Sequence, residues 1–286
     1  MGSLFIVATP IGNLEDITLR ALRVLREAAL IAAEDTRTTR ILLRKHGITT
    51  RLISYNEHNM AVRTPTALAV LESGDVALVS EAGTPGVSDP GHQLIEATLA
   101  AGFPVVSIPG PSAVVAALTT SGLTMREFTF LGFLPRRSGE RRRALTAVAD
   151  EPRTLVVFES PRRLRQTLND MCATLGDRRI AVCRELTKLF EEVFRGAISE
   201  ALSHFAEPRG EFTLVIEGTL GGADEVDEAT ILDKLKRHLS DGSSAKDAAS
   251  QVAAELSVPR RRVYELSLRL RPSTPRRRKA RPPADR

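Results

Sequence analysis

Two carboxylates, three hydroxyls and two guanidiniums crowd into Ala33-Glu-Asp-Thr-Arg-Thr-Thr-Arg40. At the start of a helix this is capping chemistry, with Asp35 or Thr36 accepting free backbone amides. Tyr55-Asn-Glu-His-Asn59 is where His, Glu and Asn meet outside any periodic segment. An imidazole such as His58 in a loop accepts a proton near neutral pH, although a lone histidine is more often structural. In the second half, Gly132-Phe-Leu-Pro-Arg-Arg137, Phe158-Glu-Ser-Pro-Arg-Arg163 and Arg184-Glu-Leu-Thr-Lys188 end apolar runs in fixed cations. Singly each is a solvated face; together they suit a polyanion such as RNA.

Three loops have the composition to hold a ligand against backbone. The apolar run 76–80 enters Glu81-Ala-Gly-Thr-Pro-Gly-Val-Ser-Asp-Pro-Gly91, rich in glycine and proline. Glycine lets a ligand approach the chain closely, and Pro85 and Pro90 fix their own φ. Pro104-Val-Val-Ser-Ile108 empties into Pro109-Gly-Pro-Ser112 before a small-residue helix at 113–120. Val7-Ala-Thr-Pro-Ile-Gly-Asn-Leu-Glu-Asp-Ile-Thr18 is a third strand, turn and capped helix. Strands of parallel type ending in such loops place ligand contacts along one carboxyl edge. Neither G-x-G-x-x-G nor G-x-x-x-x-G-K-[ST] occurs in these turns, which favours a ligand without a pyrophosphate. No G-x-S-x-G, H-E-x-x-H or metal-ligand spacing stands out.

The elements that must carry these loops read as α/β. Strand-like runs fall at 4–8, 76–80, 105–108, 128–133, 155–159, 180–184, 192–196 and 212–217. Helical periodicity covers 17–30, 38–46 and 60–73. Alternation up to residue 108 predicts a parallel sheet. Beyond residue 125 the strands come closer together, and 183–187 with 190–196 reads as an antiparallel hairpin turning at Lys188. These patterns predict two α/β domains, 1–122 and 123–218. An acidic linker at 221–228 follows, then a small helical accessory domain at 229–271 and a basic tail at 272–286.

In the helical segment, Ser244 and Asp247 supply a capped start, and Pro259 suits the first position of the last helix. Arg260, Arg261 and Arg262 open that helix, where cations oppose the macrodipole. An accessory bundle is therefore preferred over a base-reading helix.

At 286 residues and 42% hydrophobic content, the chain can fill cores of this size. Its net charge is +5, yet residues 260–286 hold ten Arg and one Lys against Glu265 and Asp285, a balance of +9. Residues 1–259 therefore carry −4. The tail has too little apolar surface to fold alone, and its readings are phosphate contact through counterion release or simple solubility. No apolar run of about 18 residues is present. The amino end lacks a charged leader pattern, so a cytoplasmic protein without membrane contact is expected. Cys172 and Cys183 read as reduced core residues.

Seven motifs occur in order: Ala8–Thr18 around Thr-Pro-Ile-Gly-Asn, Ala33-Glu-Asp-Thr-Arg37, the 81–91 loop, Pro109-Gly-Pro-Ser-Ala113, Gly132-Phe-Leu-Pro135, Glu159-Ser-Pro-x-Arg163 and Arg184-Glu-Leu-Thr-Lys188. Over residues 3–218 the chain thereby resembles the ribosomal RNA small subunit methyltransferase I family of the tetrapyrrole-methylase superfamily. The resemblance implies S-adenosylmethionine-dependent 2′-O-ribose methylation of a decoding-centre cytidine in 16S rRNA, within the small ribosomal subunit. It also implies a cofactor cleft between two α/β domains and a homodimer. Cofactor contacts would fall on Ile11, Ser80, Gly83, Thr84, Pro85, Gly86, Val87, Ser112, Ala113 and Phe158. His58, Glu34, Asp35, Arg184 and Lys188 would surround the ribose hydroxyl, with the identity of the base left open. Arg37, Arg136, Arg137 and Arg162 would bind phosphates, forming an arginine-lined wall opposite the loops. Glu81 and Asn56 depart from the family pattern, which has Asp and His there. Thr84 replaces the acidic residue of the superfamily's Gly-Asp-Pro, which argues against the alternative, a precorrin-type tetrapyrrole methyltransferase.

Overall fold

The computed structural model describes residues 1–219, 228–240, 243–256, 258 and 260–270. The chain divides into two compact units, Met1–Gly218 and Thr219–Arg286.

The first unit holds two sheets. Strands β1 (Leu4–Val7), β2 (Leu30–Ala33), β3 (Leu52–Ser54), β4 (Val76–Val79) and β5 (Val105–Ile108) form a wholly parallel sheet in the order β3-β2-β4-β1-β5. The helices between them are α1 (Leu19–Glu27), α2 (Thr36–Lys45), α3 (Met60–Leu71) and α4 (His92–Ala100). Both faces are covered: Val7, Ile31, Ala77 and Val79 join the core with α1 and α2, while Leu4, Ala32, Leu78 and Leu94 join the other with α3 and α4. That double burial is why β2 and β4 are apolar throughout.

After α5 (Ala113–Ser121) comes the second sheet: β6 (Phe128–Phe133), β7 (Thr154–Glu159), β8 (Arg179–Arg184), β9 (Glu192–Ala197) and β10 (Phe212–Ile216). Its order is β6-β7-β10-β8-β9, with β6 parallel to β7 and the other pairs antiparallel. Helices α6 (Ser138–Thr146), α7 (Pro161–Leu175) and α8 (Ile198–His204) cover one face. The other face receives α5, whose Val114, Ala117 and Leu118 pack with Val156, Ala181, Cys183 and Val215. A helix that leaves the first sheet thus completes the core of the second.

Two strands escape the sequence reading. The periodicity at 17–30 predicts one helix, but α1 ends at Glu27 and Leu30 begins β2. A four-residue apolar run buried on both faces cannot be told from a helix end by periodicity. The three residues of β3 are too few to show a pattern. The hairpin turning near Lys188 is present as β8 and β9. Cys172 and Cys183 are both free thiols.

The second unit contains α9 (Glu228–Ser240), α10 (Ala245–Leu256) and α11 (Arg260–Arg269), packed around Ile231, Leu235, Ala249, Val252 and Val263. Ser244 accepts the Asp247 amide at 3.1 Å, the expected cap. Of the expected linker at 221–228, residues 221–227 lie outside the described residues and Glu228 opens α9; Pro259 and the basic tail at 272–286 also lie outside them.

Candidate functional site

In the first sheet the chain from β1 passes to β2 on one side and from β4 to β5 on the other, so the connections diverge between β1 and β4. Such a switch point opens a crevice at the carboxyl edge. Thr9, just past β1, and Gly83, past β4, exchange backbone hydrogen bonds of 2.8 and 3.0 Å and close its floor. Gly83 can do so because its φ is +79°, a conformation that costs a residue with Cβ. The second sheet presents its own edge here: β6, β7 and β8 end together, and β10 begins beside them, with Phe212 opposite both Glu159 and Arg184.

Between these edges lies a cleft of about 370 Å³. Ile11, Gly83, Thr84, Val87, Ser112 and Ala113 line it from the first sheet's loops, and Phe133, Phe158, Glu159, Glu211, Phe212 and Thr213 from the second sheet. Ser80, Pro85 and Gly86 do not line it. Ser80 is buried, and its hydroxyl donates to the Ala82 carbonyl at 3.2 Å, shaping the turn from behind.

Further ties bring the halves to this cleft. The Asn13 amide donates to the Thr187 Oγ1 at 3.0 Å, and a Cβ on Gly12 would fall 2.4 Å from the Lys188 side chain. A Cβ on Gly132, at the β6 bulge, would fall 2.9 Å from Ser88 Oγ in the 81–91 loop.

The charged residues sort in a way the sequence does not predict. Glu34, Glu81, Asp89, Glu159 and Glu211 all line the cleft, and among the described residues no Lys, Arg or His does. The expected arginine-lined wall is therefore replaced by carboxylates and phenylalanines. Arg37 is 87% exposed and points back to pair with Asp35 at 2.7 Å. Arg136, Arg137 and Arg162 are exposed at the starts of the segments after β6 and β7, outside the cleft lining.

Of the five residues expected around a hydroxyl, Glu34 lines the cleft. Asp35 caps α2, and its hydrogen bonds with the Arg37 side chain and amide hold it down at about 2. His58 is exposed in the turn before α3, its amide held by the Asn56 side chain at 3.1 Å. Asn56 thus serves the turn at the position where the family pattern has a second His. Arg184 pairs with Glu192 at 3.0 Å. Lys188 bonds Glu185 and Glu211 at 3.0 and 2.8 Å; burial pulls its pKa down, but these pairs outweigh it and hold the ammonium protonated.

The cleft acids missed in sequence are Glu81, Asp89, Glu159 and Glu211. Glu159 is 2% exposed and fully engaged by Arg163, Thr167 and the Ser160 amide. Asp89 is pushed up to about 7, chiefly by burial and then by the charge of Glu34, against a lowering hydrogen bond from Ser80. Glu34 is raised by burial, although the Glu81 amide donates to it at 3.0 Å. Asp89 sits in the loop singled out for its glycines, but nothing local distinguishes it from a turn aspartate. Its neighbour Glu34 is 55 positions away in the chain.

Among known proteins, residues 3–202 match the family described as Tetrapyrrole (Corrin/Porphyrin) Methylases. A protein of Halalkalibacterium halodurans named Ribosomal RNA small subunit methyltransferase I is 44% identical over 93% of this chain and 94% of its own length. A Thermotoga maritima protein of the same name is 51% identical over 76% of this chain and 99% of its own. The crystal structure of uroporphyrin-III C-methyl transferase from Thermus thermophilus complexed with S-adenyl homocysteine has the same fold. It superposes with a TM-score of 0.57 at 21% identity, over 76% of this chain and 97% of that one. The chain belongs to the tetrapyrrole methylases, and within them to the ribosomal RNA small subunit methyltransferase I family.

Proposed function

We propose that this protein is an S-adenosylmethionine-dependent methyltransferase that modifies the 2′-oxygen of a cytidine ribose in the decoding centre of 16S rRNA. The observation that carries the reading is the cleft's lining: five carboxylates, of which Glu159 and Glu211 are ion-paired from behind, and no described cation, around a gap between loops of two sheets. A phosphate-bearing ligand would be repelled there, whereas a sulfonium is attracted in a low-dielectric site. The residues present fit the donor. Ile11, Val87, Ala113 and Phe158 would offer apolar surface to an adenosine, Thr84 and Ser112 would offer hydroxyls, and the carboxylates of Glu34 and Glu81 would offset the donor's positive charge. When bound, the donor supplies an activated methyl group. The protein's share is to align a hydroxyl with that methyl and exclude water.

The RNA reading draws on the relatives' names and on the exposed Arg136, Arg137 and Arg162, which follow the neighbouring strands β6 and β7. Exposed arginines outside the cleft lining and acids within would separate phosphate contact from methyl transfer. A tetrapyrrole substrate would need a wide aromatic trough. This chain has no Trp; Tyr55 is buried, and Tyr264 is in α11 of the second unit. We assign donor binding to residues 1–122 and 123–218 together, an accessory role to 229–271, and action as a cytoplasmic homodimer.

Calorimetry with S-adenosylmethionine, followed by methyl transfer to undermethylated small ribosomal subunits, naked rRNA and a precorrin, tests the reading. Binding of the donor and transfer to the assembled subunits is the expected result. Absence of heat with the donor, or transfer to the precorrin alone, would overturn it.

A further inference from the structure

We infer that Asp89 is the general base of the reaction, taking the proton from the substrate hydroxyl as its oxygen is methylated. The inference rests on the methyl-transfer reading and deepens it.

The loop after β4 turns back on itself to bring Asp89 into the cleft beside Thr84 and Val87. Ser88 holds a φ of +65°, and non-glycine residues occupy that region at a cost, which functional sites tolerate when the surroundings enforce it. Ser88 is also the residue that a Cβ on Gly132 would strike, so the second sheet backs this turn.

The other acids of the cleft are committed or ill-suited. Glu159 is bound to Arg163, Glu211 to Lys188, and Glu34 accepts the Glu81 amide. Glu81 is exposed. Asp89 and Glu34 are the partly buried acids of the cleft with no ion pair among the described residues, and Glu34 already spends one carboxylate oxygen on a backbone amide. The groups acting on it are Glu34 from the β2–α2 connection, Glu81 from its own loop, and the Ser80 hydroxyl at the end of β4.

Like charges at close range favour proton uptake, because protonating one carboxylate relieves its repulsion with the next. A base poised near the working pH is the most effective compromise between availability and strength. Asp89, at about 7, meets that condition. Lys188 is already protonated and His58 lies outside the cleft lining, so neither competes from its present position.

The step balances without a further reactant. The hydroxyl oxygen forms its bond to the methyl carbon while its O–H bond breaks, and the proton passes to the Asp89 carboxylate. The carbon–sulfur bonding pair remains on the donor's sulfur.

The test uses full-length Asp89→Asn, Asp89→Glu and Glu34→Gln with three measurements. In the ligand-free protein, carboxyl carbon NMR should show a group titrating near 7 that vanishes in Asp89→Asn and moves lower in Glu34→Gln. Calorimetry should leave the Asp89→Asn affinity for S-adenosylmethionine within about threefold of wild type, as expected for a group acting in the transition state. Single-turnover transfer to small subunits should fall by about 10²–10⁴-fold in Asp89→Asn, lose its acidic limb, and recover in part in Asp89→Glu.

An Asp89→Asn enzyme that keeps its rate and acidic limb overturns the inference. So does one that loses donor affinity but keeps its rate at saturation, since Asp89 would then be a donor contact. If Asp89→Asn misfolds, an unmoved acidic limb in Glu34→Gln overturns it instead. A wild-type protein that binds no donor would bring down the methylase reading itself.

Discussion

A half-buried carboxylate among other carboxylates ties the stability of the empty protein to pH. Asp89 has a folded value of about 7, above its ordinary 3.8, so the folded state holds a proton that the unfolded state releases. That contribution is fully present below about 4 and is lost as pH rises through 7, because unfolding then releases a proton. Thermal melts of the ligand-free protein should show midpoints that decline across this window, and Asp89→Asn should flatten the decline and melt higher at pH 8. An unchanged slope in the variant would contradict the assignment. At Asp35 the opposite holds: its carboxylate is held at about 2 by Arg37, and it caps α2. Asp35→Ala should cost about 1 kcal/mol, read by urea unfolding at neutral pH. The cap is legible in sequence because capping is local, whereas the burial and neighbours that raise Asp89 arise only when β2 and β4 pair.

Helices α6 and α7 are joined by a charge cluster under little solvent. Arg141 and Asp170 are 2% and 4% exposed in their side chains, and Asp170 also binds Arg142 and Ser138. Burial raises the Asp170 pKa, but these partners outweigh it and hold it low. Asp170→Ala should lower stability by about 3–5 kcal/mol, because it strands a buried guanidinium; denaturant unfolding would reveal it. The Gly83 turn is a second element-scale test. Ala at φ +79° should cost about 1–2 kcal/mol and weaken donor binding through the Thr9 bridge, checked by calorimetry. Most strands are legible because Gly, Pro and charge bracket each apolar run. β2 is not, since a parallel strand covered on both faces has no alternation to show.

The molecule as a whole carries its charge unevenly. The sequence shows the basic end and acidic body, and it shows motifs destined for one cleft. It does not show that the cations would stay outside that cleft, because rim and interior are defined only by the meeting of two sheets. Residues 271–286 hold seven cations and one anion. Truncation after residue 270 should leave donor affinity intact and reduce the salt slope of rRNA binding by about 0.7 for each single-strand phosphate that the tail neutralises. Anisotropy titrations across a salt series measure this, and an unchanged slope would assign the tail to solubility alone.

Helix α5 carries one more implication. Its N-cap Ser112 lines the cleft, and the helix packs against β8 and β10, where Arg195 also clasps the Thr120 carbonyl at 3.0 Å. Prising the halves apart would wet Val114, Ala117 and Leu118. Any hinge between the halves would have to break this seam first.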